Sequence, residues 1–287
     1  MEWLERFNRA VDYIEENLEE GISLDEAAKI ACCSVFHFQR IFSHIADVPL
    51  SRYIRQRRMT LAAARLQSGE QTVLDIGLLF GYSSPTAFNR AFRGVHGISP
   101  AEARKPGVSL KAHPRIHFTI MVRGDVEMNY RIEKRDAFQV AGVRETFPVS
   151  VEESFQLVPE FWQKTVREGK IPEILALMDG TEPAGLLGIS ACMEGETFDY
   201  LIAVATDREP GPGLETYSVP AATWAIFECR GPMPEAIQTL QKRIITEWLP
   251  SSGYEYGNAP DIEVYFEGDQ GSPDYHSQVW LPVVKKD

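Results

Sequence analysis

Cysteine is scarce, with four residues (Cys32, Cys33, Cys192 and Cys229) in a chain of 287. At these spacings they exclude a disulfide framework and a zinc-finger pattern. No apolar run approaches the roughly 18 residues needed to cross a bilayer. The opening stretch MEWLERFNRAVDYIEENLEEG is acidic and amphipathic, unlike a signal peptide, so a reduced, cytoplasmic protein is expected. The familiar catalytic signatures are missing as well: HExxH, GxSxG, the P-loop and GxGxxG. The histidines (His37, His44, His96, His113, His117 and His276) show no ligand spacing. Neither a cofactor nor a metal is expected, and no motif signals an enzyme.

Against those absences stands an ordinary globular composition, 44% hydrophobic and 24% charged, in a chain long enough for two domains. The net charge of −12 is unevenly spread. Residues 1–107 hold 13 basic and 13 acidic side chains, whereas residues 108–287 hold 16 and 28. Within the neutral part, nine arginines (Arg40, Arg52, Arg55, Arg57, Arg58, Arg65, Arg90, Arg93 and Arg104) face only Asp47, Glu70, Asp75 and Glu102. A guanidinium fork matches phosphate oxygens and guanine edges better than an ammonium does. A solvated helix face is the alternative for any one stretch.

Apolar residues at Leu4, Phe7, Val11, Ile14 and Leu18 predict an amphipathic first helix ended by Gly21. Ser23-Leu-Asp-Glu26 has the form of a capping box opening a short helix over 24–31. After a turn at Cys32-Cys33, Ser34 caps a second helix reaching about Ile45, which makes a helix-turn-helix. The pattern then recurs: Thr72-Val-Leu-Asp75, a turn at Gly81-Tyr82, and Ser84-Pro85 opening a helix to Val95. Between the units LSRYIRQRRMTLAAARLQ is a helical spacer of roughly 27 Å. Two reading helices on such a spacer suit successive major grooves about 34 Å apart. Phe38, Ile41, Phe42, Phe88 and Phe92 read as core.

DIGLLFGYSSPTAFNRAFRGVHGISPAEAR closely resembles the signature of the AraC/XylS family of transcription regulators. SLDEAAKIACCSVFHFQRIFSHIADVPLSRYIRQRRMTLAAARL is similar to that family's first unit and linker helix. The resemblance implies duplex DNA as a partner, RNA polymerase as a second one, and base reading by Phe36, Gln39 and Arg40 in one unit. In the other unit it implies Pro85, Thr86, Asn89 and Arg90. The chemistry suits Gln39 and Asn89 to adenine and the arginines to guanine. Two positions depart from the pattern: Cys32 stands where many members carry the turn glycine, and Pro85 replaces a polar side chain. For Arg90 a phosphate contact or a bridge to Asp75 is the alternative.

From Tyr130 the period changes to alternating or continuously apolar. FQVAGVRETF, GLLGISACM, FDYLIAVAT, TWAIFECRG, DIEVYFEG and SQVWLPVVK read as strands. Helices are expected from a capping box at Ser150-Val-Glu-Glu153 to Glu168, restarting near Pro159, and over 234–249. The order β-α-β-β repeated twice makes an α+β domain with internal pseudo-symmetry. The expected organisation is therefore two domains. An all-α double helix-turn-helix domain over 1–107 and a linker strand over 108–127 precede an α+β domain over 128–287. The EFW of the first helix, PAATWAIFECRG and PDIEVYFEG…SQVWLPV resemble the GyrI-like effector-binding domain, and the two halves together resemble the Rob-type arrangement.

In a strand Glu263 and Tyr265 share one face while Ile262, Val264 and Phe266 share the other. A carboxylate among aromatic faces attracts a lipophilic cation. Glu263 is expected as the central acid, with Tyr265, Trp224, Trp280, Tyr200 and Trp162 as walls and a small hydrophobic, cationic effector as the ligand. Taken singly, each aromatic is better explained as a core filler. The glutamate is not, because a buried carboxylate without partners is costly; a buried arginine partner is its alternative. Cys192 and Cys229, in strands, read as buried and inert. The rival functions are toxin sequestration, hydrolysis of strained electrophiles by Glu263 and Tyr265, and a protein-interaction role. On the DNA side, Arg40→Ala is expected to cost about 1–3 kcal/mol on a specific site and to relax preference at one base pair. Arg57→Ala and Arg58→Ala are expected to act weakly and without sequence preference. Selection from a random duplex library checks the set, and unaltered selectivity in Arg40→Ala would remove the first reading helix from the account.

Overall fold

Leu4, Phe7, Val11, Ile14 and Leu18 do form one stripe, on α1 (Glu2–Glu16) and the turn after it. Phe7, Val11, Ile14 and Leu18 are buried, joined by Trp3 and Ala10, while Leu4 is half-buried. The structure, a computed structural model, describes residues 2–19, 21–119, 127–148, 151–191 and 197–286. These fall into two compact units, Met1–Thr119 and Ile120–Asp287.

The first unit repeats itself. Helices α2 (Leu24–Ile30) and α3 (Val35–Ala46) correspond in length to α5 (Val73–Leu79) and α6 (Pro85–His96), on either side of α4 (Leu50–Ser68). A short α7 (Pro100–Ala103) follows. The two turns close alike. Cys33 N–H donates to Ala28 O and Tyr82 N–H to Gly77 O, each at 3.0 Å. Cys32 (φ 55°) and Gly81 (φ 81°) take the left-handed position this closure demands. The residue at Cys32 thus carries a strain on the order of 1 kcal/mol that glycine would not. Ser34 accepts from His37 N–H and Ser84 from Ala87 N–H as N-caps. Thr72 and Asp75 make a reciprocal capping box. Ser23 makes only half of one, because Glu26 pairs with Lys29 at 2.7 Å instead. Phe38, Ile41, Phe42, Phe88 and Phe92 are all core residues.

Residues 108–119 are not a linker strand. The segment joins no sheet among the described residues, and side chains of the helices hold its backbone. Thr60 Oγ1 accepts from His113 N–H at 3.0 Å and Tyr53 Oη from Ile116 N–H at 3.1 Å. Asn8 makes a two-way bond with Phe118, 2.9 Å in each direction. Scattered polar side chains of this kind leave no periodic trace in a sequence.

The arginine excess also divides. The Arg57 fork clasps Glu15, with Nε to Oε1 at 2.9 Å and Nη2 to Oε2 at 2.8 Å, and Nη1 donates to His113 O at 2.6 Å. These side chains are 12% and 5% exposed. Arg58 donates to Leu18 O, Arg65 to Glu19 and Arg104 to Gln71 O. Four of the nine therefore hold helices together, Arg57 and Arg58 among them. Arg52, Arg55, Arg90 and Arg93 are exposed.

The strands of the second unit are β1 (Tyr130–Arg135), β2 (Phe138–Pro148), β3 (Leu186–Ala191), β4 (Thr197–Ala205), β5 (Glu215–Val219), β6 (Ala222–Arg230), β7 (Tyr254–Tyr256), β8 (Asp261–Tyr265) and β9 (His276–Lys285). Helices α8 (Val151–Arg167) and α9 (Lys170–Leu175) separate β2 from β3. Helix α10 (Glu235–Arg243), a π-helical turn (Ile244–Trp248) and α11 (Leu249–Ser251) follow β6. The sheet order β1-β6-β9-β8-β3-β4-β2-β5 reads the same from both ends when β1–β4 are exchanged with β5, β6, β8 and β9. The repeat is thus ββαββ, not the βαββ expected. The added strands β1 (YRIEKR) and β5 (ETYSV) sit at the two edges, mostly exposed and charged or polar, so they lack an apolar alternation. Helix α8 continues through Pro159 without a restart. The Ser150–Glu153 box and Cys192 lie outside the described residues.

Pairing of β3 with β8 at the centre places Gly188 opposite Glu263. One sheet face packs Phe227, Val279 and Leu281 under Ile237 and Leu240 of α10. The other carries Leu187, Ile189, Leu201, Ile226, Ile262 and Val264. Arg57→Ala strands the Glu15 carboxylate in a buried position, and a loss of about 3–5 kcal/mol is expected. Urea unfolding of the N-terminal transition measures it; an unmoved midpoint contradicts the buried pair.

Candidate functional site

In the helix-turn-helix repeat, α3 and α6 align fifty residues apart, so Gln39 corresponds to Asn89 and Arg40 to Arg90. Thr86, Asn89 and Arg90 form one exposed face of α6, beginning beside the exposed Pro85. Asp75 is engaged by Thr72, whose hydroxyl donates at 2.6 Å, and no Arg90–Asp75 bridge forms among the described residues. On α3, Phe36 and Arg40 are half-buried, with the guanidinium 5.9 Å from the Phe36 ring centroid. Gln39 departs from expectation. It is only 4% exposed, so its amide is not presented for base reading in this conformation.

The second site is built where the two halves of the sheet meet. Alternation along β8 puts Glu263 and Tyr265 on the helix-covered face. Tyr265 Oη donates to Glu263 Oε2 at 2.9 Å. Tyr200, on β4, donates to the same oxygen at 3.3 Å and accepts from Trp162 Nε1, on α8, at 3.0 Å. Gln241 Nε2 of α10 donates to Oε1 at 2.5 Å. The Trp162 ring stands edge-on to Tyr265, centroids 5.4 Å apart. Glu263, Tyr265 and Trp162 keep partial exposure, whereas Tyr200 is buried. Burial, reinforced by the Glu263 charge, holds the Tyr265 hydroxyl well above its usual pKa, so it remains a proton-bearing donor.

Gly188 makes this convergence possible. A Cβ there would lie 2.3 Å from Tyr200 Oη and 3.0 Å from Glu263 Oε2. Neither Gly188 nor Gln241 was among the residues expected from the sequence. Both carried a signal: a glycine inside an apolar strand marks a close approach, and Gln241 falls on the helical stripe of Ile237 and Ile244.

Of the six expected site residues, the structure brings together Glu263, Tyr265, Tyr200 and Trp162. Trp224 and Trp280 are corrected to core. They lie on the opposite sheet face, 0% and 1% exposed, with ring centroids 6.1 Å apart. Their indole N–H groups donate to Pro260 O and Gln278 Oε1. Register explains the miss: Ile262 pairs with Trp280, so that tryptophan shares the face of Ile262 and not of Glu263. Among the described residues no lysine or arginine pairs with Glu263, which removes the buried-arginine alternative.

Residues 128–284 match the family described as GyrI-like small molecule binding domain, and residues 27–106 match a helix-turn-helix domain. The chain is 35% identical over 108 residues to the probable transcription factor PqrA of Proteus vulgaris, covering 37% of this chain and 88% of that protein. It is 34% identical over 94 residues to the regulatory protein SoxS of Salmonella typhimurium, covering 33% and 88%. The solved structure of SAV2435 bound to tetraphenylphosphonium aligns with a TM-score of 0.50 at 25% identity, over 55% of this chain and 94% of that one. A paired DNA reader joined to a ligand-binding α+β domain defines a DNA-binding transcription regulator of the AraC type. The chain belongs to the GyrI-like small-molecule-binding family. Among the described residues, no helix is long and apolar enough to cross a membrane.

Because Tyr200 and Tyr265 donate to one oxygen, their contributions are expected to couple. Tyr200→Phe and Tyr265→Phe are each expected to cost about 1–3 kcal/mol, and the double variant is expected to differ from their sum by at least about 0.5 kcal/mol. A denaturant double-mutant cycle decides it; strict additivity contradicts the shared acceptor.

Proposed function

We propose that the C-terminal domain binds a lipophilic cation through Glu263 and that this binding alters how the N-terminal domain engages DNA. The observation that carries the reading is the carboxylate itself. It is partly open, flanked by Tyr265 and Trp162, and its partners among the described residues are neutral hydrogen-bond donors. A unit charge 4 Å away is attracted by about 4 kcal/mol at an effective dielectric of 20, and each aromatic face adds about 0.5–2 kcal/mol. The bound tetraphenylphosphonium of SAV2435 is a ligand of this class and supports the reading.

On the DNA side, Arg40, Thr86, Asn89 and Arg90 are the proposed base-reading residues, with the exposed Arg52 and Arg93 as proposed phosphate contacts. Gln39 takes part only if α3 changes its surroundings on binding. The acidic second half repels DNA and leaves the contact to the first. Such a regulator works in the cytoplasm, and RNA polymerase is its proposed protein partner. The effector switches it only by binding two states with different affinity.

Selection of duplex fragments with and without tetraphenylphosphonium tests the reading. The expected result is a bipartite site with half-sites about 10 bp apart whose occupancy changes with the cation. Glu263→Gln should abolish the change while preserving the site. An occupancy indifferent to the cation, together with consumption of a strained electrophile by the purified protein, would favour a hydrolytic role for Glu263 and Tyr265.

A further inference from the structure

We infer that the Glu263 site selects cations whose charge carries no N–H donor, such as quaternary ammonium and phosphonium centres, over protonated amines and amidines, and that Gln241 sets this selectivity. The inference rests on the cation reading above and refines it. An ionised carboxylate offers about four lone-pair directions. Three are occupied: Tyr200 and Tyr265 share Oε2, and Gln241 takes Oε1. About one direction is left for a ligand.

A quaternary centre asks nothing of it. Its charge is spread over carbon-bound hydrogens or rings, its attraction to the carboxylate is non-directional, and it can lie over an aromatic face without making a hydrogen bond. A primary ammonium brings three donors into the same space. Tyr200 Oη, the neighbouring oxygen, already accepts from Trp162 Nε1. Donors that leave water without finding acceptors carry their full desolvation cost. The same saturation that keeps Glu263 stable without a positive partner therefore penalises hydrogen-bonding cations.

Gln241 is the specificity-determining residue because, among the described residues, it alone occupies the oxygen the tyrosines leave open. It arrives from α10, 7% exposed, on the stripe of Ile237 and Ile244. Gln241→Met preserves length and apolar packing while vacating Oε1.

Calorimetric titration of the full chain at pH 7 tests this with one naphthylmethyl group bearing a trimethylammonium, dimethylammonium or ammonium head, or an uncharged tert-butyl in its place. Trimethylammonium is expected to bind roughly tenfold or more tightly than ammonium, with dimethylammonium between them. In Gln241→Met the ammonium compound should gain several-fold while trimethylammonium stays within about twofold. Equal or reversed order in the native chain overturns the selectivity. An order untouched by Gln241→Met overturns the assignment to Gln241. No cation binding, or equal binding of the tert-butyl compound, overturns the cation reading and the selectivity with it.

Discussion

At the junction of sheet and helices the Glu263 carboxylate is hydrogen-bonded by three neutral donors and, among the described residues, has no lysine or arginine partner. The rest of the C-terminal domain follows from that constraint. Two tyrosine hydroxyls and an amide replace the water that burial removes, and Gly188 is bare so that Tyr200 can reach the carboxylate. The contrast lies in the same chain. The Glu15 side chain is buried, but Arg57 clasps it and Tyr53 bonds it at 2.6 Å. A carboxylate matched by a guanidinium holds helices together. One hydrogen-bonded by neutral donors retains an outward field, which is what the proposed cationic ligand would meet.

The pseudo-two-fold sheet places this group where both halves contribute. Gly188, Tyr200 and Trp162 come from the first ββαββ unit, and Glu263, Tyr265 and Gln241 from the second. Ligand contacts with α8 and α10 would therefore bear on both halves at once. A junction of this kind is a natural place for two arrangements of differing ligand affinity, the condition any effector must meet to shift an equilibrium.

Much of this was legible in the residues, for identifiable reasons. The helical caps, the left-handed turn at Cys32 and the recurrence of the helix-turn-helix are local, so spacing reveals them. Glu263 and Tyr265 stand out because alternation assigns them one face. What escaped depends on tertiary register. Trp224 and Trp280 looked like pocket walls until strand pairing put them on the far face. The edge strands β1 and β5 have too little buried surface to show a period. The arginine count overstated the DNA surface, because charge composition cannot separate Arg57 and Arg58, committed to α1 and the turn after it, from Arg90 and Arg93 on an exposed face. Gln39 shows the same limit: its repeat partner Asn89 is exposed, while Gln39 is not.

On the proposed reading, charge and not shape decides what Glu263 accepts. Tetraphenylphosphonium and tetraphenylborate have nearly the same shape and opposite charge, so their binding to the full chain separates the two directly. Saturable binding of the phosphonium without binding of the borate is the predicted result. Comparable affinity for both would show that the site recognises aromatic bulk and that the carboxylate is not its anchor.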